Sequence, residues 1–289
     1  TWLGKGDRDT VGHFQPTTET GGRGRALLTL STGERVVLSQ QDTLLQSEEI
    51  SIRVNRAGEA VYETKDSVVP SSTTYNIMEV PQGAEFHLTL GDGTKVWLNS
   101  GSTLTYSTDY AKDCRSVKLN GQAFFDVVQD SKRQFDVLVG DVKVLVHGTA
   151  FDVNGYGDHS ELEVVLLRGH VTVVSALTDK LLADMKPNQK VIIPLHEMEK
   201  CKLEACDAEV ESVWRLGKLK IENENLQEIV QKMERWYGIK IQLHDVPENK
   251  RYWMTIKTES LREMLEIINR VTPITYTING EEVSITGRK

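Results

Sequence analysis

The sequence predicts a mostly β chain that ends in a small α+β domain. Three observations carry this. Between residues 115 and 174 the triplet Phe-Asp-Val occurs at Phe125-Asp126-Val127, Phe135-Asp136-Val137 and Phe151-Asp152-Val153. In a strand the Phe and Val of each triplet share one face and the Asp takes the other. The stretch LLTLSTGERVVL at 27–38 returns 60 residues later as HLTLGDGTKVWL at 87–98. Beyond residue 204 the texture changes to two capped amphipathic helices between short strands.

Each copy of the repeat reads as a β-hairpin. Leu28 and Leu30 alternate with Thr29, as Leu88 and Leu90 do with Thr89, and Gly33 and Gly93 supply turns that need positive φ. Short strands follow at 49–54 and 60–63 with a turn at 55–58, and the polar stretch 66–74 reads as a link between layers. From 82 to 193 short alternating segments are punctuated by Asn120-Gly121, Gly140-Asp141, Gly148, Gly169 and Pro187-Asn188. That spacing predicts an antiparallel all-β sandwich or a solenoid-like stack, and periodicity does not choose between them.

Asn225 caps a helix whose apolar positions are Leu226, Ile229, Val230, Met233 and Trp236, with Glu228 completing a capping box and Gly238 just past the end. Ser260 and Glu263 open a second helix with Leu261, Met264, Leu265 and Ile268 as its stripe. Strands at 217–221, 239–243, 253–256 and 274–278 flank the helices, and Asn279-Gly280 turns the last of them into 282–286. Residues 210–289 therefore read as two successive βαβ units. The expected organisation is a β-rich segment over 1–76 packing on an all-β domain over 77–204, followed by the α+β domain.

The net charge of −8 is spread through segments of mixed sign, with no basic run of the kind that binds nucleic acid. No stretch approaches the ~20 consecutive apolar residues that span a bilayer. The chain begins at Thr1 without Met, so a signal peptide, membrane helix or further domain could precede it. Cys201 and Cys206, with four residues between them, could close one short bridge or be separate thiols.

No set of catalytic groups, metal ligands or cofactor-binding residues stands out. Asp126, Asp136 and Asp152 could converge only if their strands were neighbours, and acids on an alternating strand ordinarily keep its outer face wet. His147-Gly148-Thr149 lacks a partnered acid, and Gly91-Asp92-Gly93-Thr94 lacks the Lys-Ser/Thr ending of a phosphate loop. Trp97, Trp214, Trp236 and Trp253 could form a sugar platform. Trp236 falls on its helix's core stripe, and Trp97 is the one expected to be exposed. The closing hairpin offers a candidate partner-binding edge at Ile274, Tyr276, Ile278, Val283 and Ile285, because a strand at the chain end can accept another protein's strand.

The segments LTLGDGTKVWLNSGSTLTY at 88–106, RSVKLNGQAFFDVVQD at 115–130, QFDV at 134–137, VLVHGTAFDVNGY at 144–156 and LLRGHVTVV at 166–174 together resemble the FecR domain of anti-sigma factors of the Bacteroidetes type. WRLGKLKIENENLQEIVQKMERWYGIKIQ at 214–242 and the segment to 286 look like the small C-terminal domain these proteins carry. The resemblance implies a non-enzymatic periplasmic sensor, the ectodomain of a single-pass inner-membrane protein. Its implied partners are the N-terminal signalling domain of a TonB-dependent outer-membrane transporter and, through a cytoplasmic domain, an extracytoplasmic-function sigma factor. The C-terminal domain would be similar to the transporter's signalling domain and carry the contact. A glycan-binding module is the alternative expectation, and a metal-dependent hydrolase using the three Asp residues is a third.

Overall fold

A computed structural model describes residues 22–23, 26–38, 43–46, 50–54, 59–64, 75–107, 115–257 and 259–288. The turn expected at 55–58 and the link at 66–74 lie outside them.

Two β-layers share one strand. The first layer runs, edge to edge, through Arg35–Leu38, Ala26–Thr29, Tyr75–Glu79, Thr103–Ser107, Arg115–Asp126, Phe135–Val139, Val142–Val146, Val171–Ser175 and Leu181–Met185. The second runs through Thr43–Gln46, Ile50–Val54, Glu59–Thr64, Ala84–Thr89, Lys95–Leu98, the same Arg115–Asp126, Ala150–Gly155, Glu161–Arg168, Gln189–Pro194 and Lys202–Ala205. Both expected architectures are therefore present: hairpins are laid alternately on two packed layers, so a sandwich grows as a stack. The shared strand crosses between layers at Gly121, whose φ of 114° only glycine tolerates and where a Cβ would sit 2.7 Å from the Ser102 Cα.

The two hairpins of the repeat close with the same geometry. Leu30 N–H donates to the Glu34 carbonyl and Leu90 N–H to that of Thr94, each at 2.8 Å, with Gly33 and Gly93 at φ 85° and 88°. Side chains from both layers fill one core. Phe125 stacks on Phe151 with centroids 5.2 Å apart and lies 5.7 Å from Phe135, so the Phe residues of all three triplets meet there. Arg115 is 1% exposed and donates to Asp92 at 3.3 Å and to the Val128 carbonyl at 2.7 Å. Asp92 also accepts from Thr94 N–H and Oγ1, each at 2.9 Å, so the Gly-Asp-Gly-Thr segment is a structural turn between strands.

A second core lies in the C-terminal region, built on α2 (Leu226–Tyr237) and α3 (Leu261–Val271), each opened by the expected capping box. Gly238 ends α2 in the left-handed conformation, φ 67°. The strand–helix–strand order is the one the sequence announces, and the pairing adds an interlock. Leu219–Glu224 pairs with Tyr252–Ile256, whereas Lys240–His244, Glu282–Gly287 and Ile274–Asn279 form a separate three-stranded sheet. The two strands that flank each helix thus enter different sheets.

One expectation is corrected here. Glu282–Gly287 is the central strand of its sheet, so Val283 and Ile285, 1% and 0% exposed, present no free edge. The outer strands of this sheet are Lys240–His244 and Ile274–Asn279, and in the second of them Ile274 is buried and Tyr276 and Ile278 are half-buried. Sequence order misled because the last strand inserts in parallel beside Lys240–His244. Of the two arrangements open to Cys201 and Cys206, the structure has separate thiols: both are free and flank the extended strand Lys202–Ala205. At ~3.3 Å rise per residue their Cα atoms stand on the order of 15 Å apart, beyond the ~7 Å a disulfide allows.

Candidate functional site

The outer face of the second layer is where the two domains meet. In Ala150–Gly155, Phe151 and Val153 enter the core and Asp152 points the opposite way, yet Asp152 is only 3% exposed. A short segment covers it: α1 (Ala208–Glu211), capped by Asp207, and the 3-10 turn Val213–Leu216. Trp214 from that turn is 5% exposed and packs with Phe124 and Ala150, flanked by half-buried Trp97 and Leu167.

Polar groups cross this face as a chain. Asn99 Nδ2 donates to Gln122 Oε1 at 2.9 Å, Gln122 Nε2 to Asp152 Oδ1 at 2.9 Å, and Trp214 Nε1 to Asp152 Oδ2 at 2.6 Å. Burial outweighs the two donors and pushes the Asp152 carboxyl up to about 7. Arg215 completes the contact with its guanidinium 4.7 Å from the centre of the Phe124 ring.

A second contact lies at the end of α2. Gly83 N–H donates to the Arg235 carbonyl at 2.8 Å, and Ser100 Oγ donates to the same oxygen at 2.5 Å. A Cβ at Gly83 would come within 3.1 Å of the Gly238 Cα, so glycine permits the close approach. The Arg235 guanidinium lies 4.5 Å from the centre of the Tyr156 ring, 3.1 Å from His159 Nε2 and 3.7 Å from Asp158 Oδ2. Tyr156 Oη donates to the Ser100 carbonyl at 2.8 Å, and burial pushes its phenol up to about 12. Burial and the Arg235 charge hold His159 below its ordinary value, favouring the neutral ring that can accept from Arg235.

Between the contacts lies a cleft of about 810 Å³ lined by charged and polar side chains of both domains, among them Asn154, Glu163, Lys190, Glu211, Lys220 and Lys232. Burial raises Glu163. The arrangement provides a polar joint between domains; none of these groups forms a nucleophile with a partnered base.

The three Asp residues do not converge. Asp126 pairs with Arg168 at 2.7 Å and Asp136 accepts from Gln134 at 2.6 Å, both on wet faces as expected, but Asp136 belongs to the other layer. Asp152 contradicts the expectation, because the 208–216 segment covers it. Among the described residues no group of three His, Cys, Asp or Glu side chains is placed to hold a metal. Trp97 also departs from expectation: it is half-buried, edge-on to Phe124 at 5.5 Å, whereas Trp253 is 64% exposed. Thr149 is buried and its hydroxyl donates to the His170 carbonyl at 2.9 Å, a structural role. Sequence reading missed Trp214 and Arg235 as junction residues. The adjacent aromatics Phe124-Phe125 were the available signal, since two apolar neighbours on a strand imply that both faces are covered.

Two family profiles match the chain: FecR protein over residues 76–172 and FecR, C-terminal over 218–285. This chain belongs to the FecR family of anti-sigma factors. The junction described above thus joins the two FecR-family domains, with Trp214 in the segment between the matched regions. Two crystal structures, each of a candidate anti-sigma factor from Parabacteroides distasonis ATCC 8503, are similar to it. One is 26% identical with a TM-score of 0.66, over 74% of this chain and 99% of that one. The other is 25% identical with a TM-score of 0.67, over 74% and 100%. No curated protein matches the chain. FecR-family membership makes the protein a signalling regulator that acts through a sigma factor. Among the described residues no helix is long and apolar enough to cross a membrane.

Proposed function

We propose that this FecR-family chain is the periplasmic sensor region of a transmembrane anti-sigma factor, relaying the ligand-loaded state of a TonB-dependent outer-membrane transporter to an extracytoplasmic-function sigma factor. It works by protein contact and without catalysis. The observation that carries the reading is an outer strand of the C-terminal three-stranded sheet, Ile274–Asn279, in a domain docked to the FecR domain through Trp214 and Arg235. An added strand there would gain main-chain hydrogen bonds while asking little of sequence. A domain that both offers an edge and touches its neighbour at a polar joint is suited to receive a contact and pass it on.

Isothermal titration tests the reading. The signalling domain of the transporter encoded beside this gene should bind the chain with 1:1 stoichiometry, and a panel of oligosaccharides should give no heat. Saturable oligosaccharide binding with no response to the signalling domain would replace this reading with a glycan-binding one.

A further inference from the structure

We infer that the C-terminal domain is a hinged arm: the segment 208–216 is anchored to the FecR domain by Trp214, Gly217 is the pivot, and Arg235 is the catch that holds the arm closed. Its use in signalling rests on the function proposed above, whereas the geometry does not.

The two contacts that join the domains differ in kind. At the anchor, the Trp214 indole is buried among FecR-domain side chains and donates at 2.6 Å to a carboxyl that is itself 3% exposed. Withdrawing it would expose apolar surface and strip a donor from a buried acid. At the catch, Arg235 contributes a backbone carbonyl and a guanidinium, and the facing Asp158 carboxylate is 70% exposed. The carbonyl meets Gly83 and Ser100, which are buried, so the replaceable part of the catch is the ion pair with Asp158, whose carboxylate water already reaches.

Between anchor and catch the interface is polar, with Glu211 paired to Lys190 at 3.8 Å and to Lys220 at 3.2 Å. The cores of the two domains are separate clusters, and the polar cleft lies between anchor and catch. In the cleft wall the buried atoms Asn154 Oδ1 and Glu224 Oε2 have no hydrogen-bond partner among the described residues, so opening would hydrate them. A joint of this composition is the kind across which domains move. Gly217 stands between the anchored turn and the arm's first strand at φ 70°, ψ 35°, a conformation from which glycine can rotate without steric penalty.

Amide exchange and the indole N–H resonances of the full chain, measured by NMR, separate the two contacts. Arg235→Ala removes the guanidinium and keeps the carbonyl, so the Gly83 amide, shared between the Arg235 carbonyl and Ser100 Oγ, should exchange about tenfold faster only through opening of the catch, weakened by the equivalent of one charge-assisted hydrogen bond. The Trp214 indole N–H should keep its wild-type exchange rate and chemical shift. Asp158→Ala, at an exposed position, should move Gly83 the same way by less. Loss of protection at Gly83 and Trp214 together would overturn the hinge, since the whole junction would then open as one piece. Unchanged Gly83 exchange in both variants would overturn the catch. No transporter domain is present in this experiment, so its failure is distinguishable from failure of the partner assignment.

Discussion

Trp214 donates its indole N–H to the Asp152 carboxylate at 2.6 Å across 62 residues of sequence, tying the segment that leads into the C-terminal domain to the outer face of the FecR domain. An acid that strand alternation sends outward is thereby converted into an interior group.

Asp152 should make stability pH-dependent in an identifiable window. Its carboxyl is raised from 3.8 to about 7 in the folded chain. Below pH ~4 folded and unfolded forms are both protonated and there is no penalty. As pH rises toward about 7 the folded state holds a proton that the unfolded state has released, and stability falls. The upper bound is about 4 kcal/mol. Glu163 and Arg215 are the charged groups acting on Asp152 from the neighbouring strand and the covering turn, and Tyr156 also lies within its influence. Glu163, itself raised, adds a slope of the same sign. Thermal melts from pH 5 to 8 should show a decline in Tm that is shallower in Asp152→Asn.

Trp214→Phe keeps most of the apolar contact with Phe124 and Ala150 but removes one donor from Asp152. The expected loss is about 1–3 kcal/mol in urea unfolding. A variant as stable as the wild type would mean that Trp214 acts by packing alone.

Arg115→Met removes the cation from a pair whose side chains are 1% and 4% exposed. It also frees the Val128 carbonyl. Destabilisation of about 3–5 kcal/mol is expected in urea unfolding, since one charge stays buried without its partner.

Phe125→Ala should cost about 3–5 kcal/mol, because the ring sits between Phe135 and Phe151 where the two layers meet. Asp136→Ala, on the wet outer face, should change stability by less than about 0.5 kcal/mol.

Much of this fold was legible in the sequence because it is encoded locally. The turns at Gly33 and Gly93, the capping boxes at Asn225 and Ser260, and the inward Phe and Val of each triplet follow from a few neighbouring residues. What sequence did not reveal depends on which segments meet. Asp126, Asp136 and Asp152 occupy the same place in the same motif, and only the arrival of Trp214 distinguishes the third. Val283 and Ile285 alternate like an edge strand, yet a parallel partner from Lys240–His244 makes theirs central. Arg235 looks like an ordinary basic residue in the last turn of a helix until Tyr156 and Gly83 are placed against it.

The central claim is that the C-terminal domain receives the transporter signal through the Ile274–Asn279 edge. The direct measurement is to titrate the transporter's signalling domain into the isotope-labelled full chain and follow backbone amide resonances. The account predicts that the largest perturbations fall within 218–288 and centre on Ile274–Asn279. Perturbations confined to the FecR domain over 76–205, with the 274–279 amides unmoved, would contradict it.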